Sequence, residues 1–124
     1  MFDIARAPIV VSLVKSFADA NKLVAGVCHG SAALLDVKLS DGKLLVDGEP
    51  VAGLSNAEED AVGLSAAMPF MLETDLVKNG AKYEKADQLW EAKVCVGRGG
   101  KLVTGQNPAS GLGVGEKMKV ALGV

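Results

Sequence analysis

Cys28 and His29 are the two residues whose types and position point most directly to chemistry. They lie in the segment Gly26-Val27-Cys28-His29-Gly30, directly after an apolar run. A thiol is a useful nucleophile as the thiolate, and an adjacent base or a helix N-terminus favours that form. Small residues two positions either side of the nucleophile are typical of a sharp strand-to-helix turn. The segment therefore predicts a cysteine nucleophile at such a turn.

His29 is the only histidine of the chain, so any Cys–His chemistry within the chain uses it. A third group is needed to orient an imidazole that acts as a base. Three acidic residues near the start of a predicted helix are candidates: Glu58, Glu59 and Asp60. An inert buried thiol is the other interpretation of Cys28, and the residue pattern alone leaves both interpretations open.

The elements that position Cys28 follow from hydrophobic periodicity. A helix is predicted over residues 8–20, with these apolar residues on one face: Ile9, Leu13, Val14 and Phe17. The continuous apolar run 23–27 predicts a strand buried on both faces, as in a parallel sheet. Good helix formers from His29 onward predict a second helix. Helix, buried strand, turn and helix together are typical of a doubly wound α/β sheet.

Turn signals divide the middle of the chain. Asp41-Gly42 and Asp47-Gly48 are turn dipeptides, and they predict a short strand between them over residues 43–46. A second short strand is predicted over residues 51–54. These two segments predict a small β excursion that returns to the sheet.

The second half of the chain is predicted to contain three helices and a hairpin. One helix begins at the N-cap Asn56 and ends near Val62, and another runs from Pro69 to a C-terminal stop at Gly80. The remaining elements are hairpin strands over 93–96 and 101–104 around Gly97-Arg98-Gly99-Gly100, and a helix over 114–122 with Ser110 as its N-cap. Cys95 is predicted to lie in the core.

Size and charge exclude several classes of function. The 124 residues, 49% of them hydrophobic, predict a single packed domain over residues 1–124. The net charge of −2 provides no basic excess for nucleic acid. No apolar run approaches the roughly 20 residues of a membrane span, and the N-terminus lacks the charge order of a signal peptide. Two cysteines are too few for a secreted disulfide scaffold. The expectation is a cytoplasmic protein without nucleic-acid or membrane partners.

Five segments, in order along the chain, resemble the ThiJ/PfpI superfamily of class I glutamine amidotransferase-like proteins. Residues 27–34, VCHGSAAL, resemble its nucleophile segment, and 47–59, DGEPVAGLSNAEE, resemble its stretch GKxVTGFSNxEE. Residues 69–73, PFMLE, resemble its PFLLE. The segments 80–83, GAKY, and 102–110, LVTGQNPAS, complete the set. The resemblance covers nearly the whole chain.

The resemblance implies a flavodoxin-like three-layer sandwich with a mostly parallel sheet, truncated at the N-terminus. The branch that the chain resembles most is that of the glutathione-independent glyoxalases and heat-shock chaperones. That branch implies conversion of methylglyoxal to D-lactate, or a related cysteine hydrolase or deglycase activity. It also implies a catalytic Cys28, His29 and Glu59, with Glu58 as the alternative acid, and no metal or organic cofactor.

Several departures from the family pattern lead to further expectations. The chain is about half as long as the usual domain, and it lacks upstream units that supply an acid near the cysteine and a Gly-rich turn. Ser31 stands where proline is common, and Leu54 where phenylalanine is common. We expect a homo-oligomer or association with a missing N-terminal half, since a half-sheet leaves an exposed edge. The alternative function is a non-catalytic stress-response chaperone or a redox sensor that uses Cys28.

Overall fold

A central three-stranded sheet between helices organises the chain, as the α/β prediction requires. The computed structural model describes residues 1–124. The helices are α1 Pro8–Asp19, α2 Asn56–Ala61, α3 Leu72–Lys78 and α4 Gly111–Leu122. The strands are β1 Val24–Val27, β2 Pro50–Val51, β3 Lys82–Tyr83, β4 Val94–Gly97 and β5 Leu102–Gly105. Short 3-10 helices cover Cys28–Leu34, Ser65–Ala67, Arg98–Gly100 and Pro108–Ser110.

The sheet has the strand order β1-β5-β4. β1 is parallel to β5, with Val24 opposite Leu102, and β4 is antiparallel to β5, with Cys95 opposite Thr104. The predicted hairpin around the Gly-rich turn is therefore confirmed. β2 and β3 form a separate parallel pair. Two of the three strand pairings are thus parallel.

Helices cover both faces of the sheet and make three layers. On one face Leu102 joins the main core with Leu34, Leu72 and Leu76, and α1 contributes to the same cluster. Neighbouring strand residues point to opposite faces. On the other face α4 lies so close that a Cβ on Gly105 would be 2.8 Å from Val114 Cγ2. The three-layer flavodoxin-like arrangement is confirmed.

The prediction that the first strand is buried on both faces is wrong. β1 pairs only with β5, which makes it an edge strand, and Ala25 is exposed. On α1, Val14 packs against the core while other residues of the predicted apolar face are exposed: Ile9 80%, Leu13 59% and Phe17 43%. Apolar periodicity identifies which residues share a face, but it does not say whether this chain covers that face.

Two local predictions of secondary structure are also wrong. Residues 28–34 form a 3-10 helix, in which Ser31 Oγ donates to the Ala52 carbonyl at 3.0 Å. This tertiary contact outweighs α-helix propensity. Residues 43–46 form turns with only a Lys38–Leu44 bridge, and Leu45 and Val46 are both buried in the main core.

Element boundaries shift in four places. The second predicted short strand contains only Pro50–Val51, and α2 has Ser55 rather than Asn56 as its N-cap. α3 begins at Leu72 rather than at Pro69, and α4 begins at Gly111 rather than at Val114. Ser55 has extended backbone angles, and its side chain accepts a hydrogen bond from the Glu58 N–H. No helix of the chain has both the length and the apolar composition needed to cross a lipid bilayer.

Candidate active site

Cys28 lies where β1 ends and the 3-10 helix begins, in a left-handed backbone conformation with φ of 58°. A non-glycine residue rarely adopts this conformation, and it recurs at functional sites. A Cβ on Gly26 would lie 3.2 Å from Ser31 Cα, so glycine is needed there for close packing. Gly30 has open space around it, so the steric requirement predicted for that position is absent.

Glu59 is the acid that contacts His29. The His29 Nε2 lies 2.5 Å from the Glu59 Oε2, and Glu59 is buried in the first turn of α2. Asp60 is exposed and accepts a hydrogen bond from Ser65 instead. Of the three acidic candidates, Glu59 is therefore the one that contacts the imidazole. Cys28 directly precedes His29 in the chain.

Glu58 has a different position and is fully buried. Its carboxylate accepts hydrogen bonds from the Trp90 N–H at 3.1 Å, from Asn107 Nδ2 at 2.7 Å and from Ser55. Burial acts to raise the pKa of Glu58, but hydrogen bonds led by that of the Ser55 N–H outweigh it and lower the pKa. Glu58, which directly precedes Glu59, therefore connects α2 with the backbone at Trp90 and with the side chain of Asn107.

The Ser55–Glu58 capping box is the sequence feature from which this arrangement could have been predicted. A serine followed three residues later by a glutamate is a recognisable start of a helix. It commits Glu58 to the backbone of its own helix, which leaves Glu59 as the free acid. Asn107, from the segment 102–110 that resembles the superfamily, donates to Glu58 through Nδ2 at 2.7 Å.

The surroundings of the Cys28 thiol disfavour its thiolate form. Burial raises the pKa of this thiol, the backbone N–H of His29 partly opposes that effect, and the negative charges of Glu58 and Glu59 raise the pKa further. A reaction at this sulfur therefore needs a base that removes the proton as the bond forms.

His29 directly follows Cys28 in the chain, and its Nε2 faces the Glu59 carboxylate. In the neutral ring, a proton on Nε2 that is donated to Glu59 leaves Nδ1 as the acceptor. The second oxygen of Glu59, Oε1, is buried without a hydrogen-bond donor. The negative charge of Glu59 is therefore available to stabilise an imidazolium on His29.

Cys95 and Trp90 do not contact the His29–Glu59 pair. Cys95 is 3% exposed in β4, which confirms it as a core residue, and both cysteines are free thiols. The Trp90 side chain is partly exposed, and its backbone N–H bonds Glu58. The three clefts on the surface lie along α1, β1, the hairpin and α4, and none includes Cys28, His29 or Glu59.

Solved structures are similar to this chain over almost its full length. The 24 kDa Rapid Encystment Protein of Francisella tularensis is 36% identical at a TM-score of 0.91, over 98% of this chain and 52% of that one. Another crystal structure is 35% identical at a TM-score of 0.91, over 98% of this chain and 53% of that one. The glyoxalase III of Candida albicans is 26% identical at a TM-score of 0.88, over 97% and 52%.

The chain has the flavodoxin-like fold of these proteins. It spans about half the length of each. The likeness to a glyoxalase III agrees with the resemblance to the ThiJ/PfpI superfamily. No family model matches the chain, and no curated protein matches it significantly.

Proposed function

We propose that Cys28 carries out a glyoxalase III-type reaction, the conversion of methylglyoxal to D-lactate. The observation that carries this proposal is the pairing of His29 Nε2 with Glu59 Oε2 at 2.5 Å, directly beside a cysteine in a left-handed turn. The likeness to the Candida albicans glyoxalase III supports the choice of substrate.

The first step is attack of the Cys28 sulfur on the aldehyde carbon. His29 Nδ1 takes the thiol proton as the sulfur–carbon bond forms. The imidazolium then gives this proton to the carbonyl oxygen, which completes a hemithioacetal and returns His29 to its neutral form. Because the raised pKa of Cys28 disfavours the free thiolate, this step needs a base beside the sulfur, and the proposal assigns that role to His29. Glu59 stabilises the imidazolium of His29 during this step.

The second step moves a hydrogen between the two oxygenated carbons. His29 removes the proton from the former aldehyde carbon, an enediol forms, and the same proton is returned to the neighbouring carbon. The hydroxyl proton of the hemithioacetal passes to the ketone oxygen in the same step. The aldehyde carbon is oxidised to a thioester and the ketone carbon is reduced to an alcohol, so no external oxidant is required. Water then releases lactate and restores the thiol.

The test is production of D-lactate from methylglyoxal, measured with a lactate-specific enzyme assay. We expect Cys28→Ala to lower the rate at least 1,000-fold, because removing a catalytic nucleophile costs about this much or more. Cys95→Ala is the matched control, since it removes the other thiol outside the site, and it should retain at least half of the activity.

Lactate formation that persists in Cys28→Ala would contradict the proposal. The proposal would also be contradicted if neither the chain alone nor the fused protein described in the next subsection formed lactate in a Cys28-dependent reaction. Measuring both forms separates a wrong reaction from an incompletely assembled site.

A further inference from the structure

The free edge of β1 and two apolar clefts beside it form one continuous surface. One cleft, of about 170 Å³, is lined by Leu13, Val14 and Val24 together with Phe17 and Leu23. The other, of about 520 Å³, lies next to α4 and also includes Phe17 and Leu23. The two clefts therefore flank β1 on both faces of the sheet, and we call this surface the β1 edge surface.

The backbone of β1 presents unpaired groups at this surface. The Val24 N–H donates to the Lys101 carbonyl at 2.9 Å, on the β5 side. Successive residues of a strand direct their N–H groups to alternate sides, so the Ala25 and Val27 N–H groups point to the free side. Edge strands that must avoid pairing commonly carry charges, Pro or bulges, and Val24–Val27 contains no charge and no Pro.

Most side chains around β1 are apolar, and the larger cleft also has Asn21, Lys22 and Lys101 in its lining. On α1 the exposed residues Leu13 and Phe17 border the clefts, and on α4 Leu122 is 61% exposed in the larger one. Exposed apolar side chains on both faces of an unpaired strand match the surface that an additional strand with its helices would bury.

We propose that the β1 edge surface binds a parallel strand of a second α/β segment, about as long as this chain, either joined to it or separate. The similar structures have chains nearly twice as long, and this chain covers only 52–53% of them. α1 leads directly into β1, and a right-handed crossover through such a helix connects two parallel strands of one sheet. The free side of β1 is the vacant position beside that strand.

The same geometry brings this segment to the candidate site. In parallel strands the carboxyl ends meet at one edge of the sheet, and Cys28 follows the carboxyl end of β1. The loop after the added strand therefore lies beside Cys28 and supplies a wall of the substrate pocket, which this chain alone does not form. The docking itself does not depend on the proposed reaction.

The test fuses a defined probe to the full chain. The probe is the part of the Francisella tularensis protein that this chain does not match, placed before Met1, and the readout is hydrogen exchange of individual amides. The Ala25 and Val27 amides should exchange at least 100-fold more slowly in the fusion than in the chain alone. The Val24 amide, already bonded to β5, should be protected in both.

Variants locate the contact. Phe17→Asp or Leu13→Asp in the fusion should restore fast exchange at Ala25 and Val27, whereas Val77→Asp on α3, 54% exposed and outside both clefts, should not. Circular dichroism of each variant without the probe tests whether the chain still folds. If one of the two variants does not fold, the other still tests the contact.

Unchanged exchange at Ala25 and Val27 in the fusion would overturn the proposal. Protection that is insensitive to both Phe17→Asp and Leu13→Asp would overturn it too. If the chain alone sediments as a dimer in which these amides are already protected, the occupant is a second copy and the proposed segment is wrong. None of these outcomes involves lactate formation, so docking and the proposed reaction fail independently.

Discussion

Two neighbouring glutamates on α2 have different tasks because successive residues of a helix point about 100° apart. Glu58 turns back to the Ser55 backbone and inward to Asn107, and Glu59 turns towards His29. Both negative charges raise the pKa of the Cys28 thiol, yet only Glu59 touches the imidazole. The charge of Glu59 therefore has two opposite effects at the site.

Glu59→Gln should separate these two effects. We expect the Cys28 thiol to react faster with iodoacetamide at pH 7, by about 2- to 10-fold, because removing a nearby negative charge lowers its pKa. Lactate formation should fall at least 10-fold, because the neutral amide stabilises the His29 imidazolium less. Mass spectrometry of the alkylated protein measures the first quantity and the lactate assay the second.

Asp60→Asn is the matched control, since it removes a charge from the same helix without touching His29. It should change neither rate by more than 2-fold. A parallel fall of alkylation and turnover in Glu59→Gln would indicate a loss of structure instead of a loss of the charge.

At the scale of elements, a glycine in β5 allows α4 to pack closely against that strand. A Cβ on Gly105 would lie 2.7 Å from Ser110 Cβ and 2.8 Å from Val114 Cγ2, closer than packed carbon atoms allow. Gly115, within α4 itself, has open space where a Cβ would lie and carries only the low helix propensity of glycine. The two glycines therefore differ in what they contribute to the same helix.

Opposite changes in stability are expected for alanine at these two positions. Gly105→Ala should lower the free energy of unfolding by about 1–3 kcal/mol, because α4 must move away from β5. Gly115→Ala should raise it by up to about 1 kcal/mol through helix propensity. Urea denaturation followed by circular dichroism measures both, and equal effects would argue against the close packing of α4.

For the whole molecule, burial of ionisable groups determines how stability depends on alkaline pH. Burial raises the pKa of Cys95 to about 11, and it also raises the pKa values of Cys28 and Tyr83. An unfolded thiol titrates near pH 8.5. Above that pH the unfolded chain loses protons that the folded protein still holds, so stability falls as the pH rises.

The free energy of unfolding should therefore decrease between about pH 8.5 and pH 11. In Cys95→Ala the decrease over the same interval should be shallower, because the buried group with a raised pKa is gone. Urea titrations at half-unit pH steps measure both slopes. Parallel curves for the two proteins would show that Cys95 does not contribute to the pH dependence.

Local patterns in the sequence predicted much of this architecture. The apolar run before Cys28, the Gly-rich hairpin turn and the glycine stop after α3 depend on neighbouring residues, and the structure confirms each of them. Periodicity also predicted the helix α1, although Ile9, Leu13 and Phe17 of its apolar face are exposed. These features follow from backbone and solvation preferences that act over a few residues.

The resemblance implied Glu59 as the acid with Glu58 as the alternative, and the tertiary structure shows that Glu59 contacts His29 and that β1 is an edge strand. His29 and Glu59 are 30 positions apart in the sequence, so their contact depends on how α2 packs against the turn after β1. The exposure of Ala25, Leu13 and Phe17 depends on what lies beside β1, which no local pattern reports. The sequence by itself determined a cysteine at the end of a strand. Long-range packing decided that Glu59 contacts the adjacent histidine and that one side of that strand pairs with no other strand of the chain.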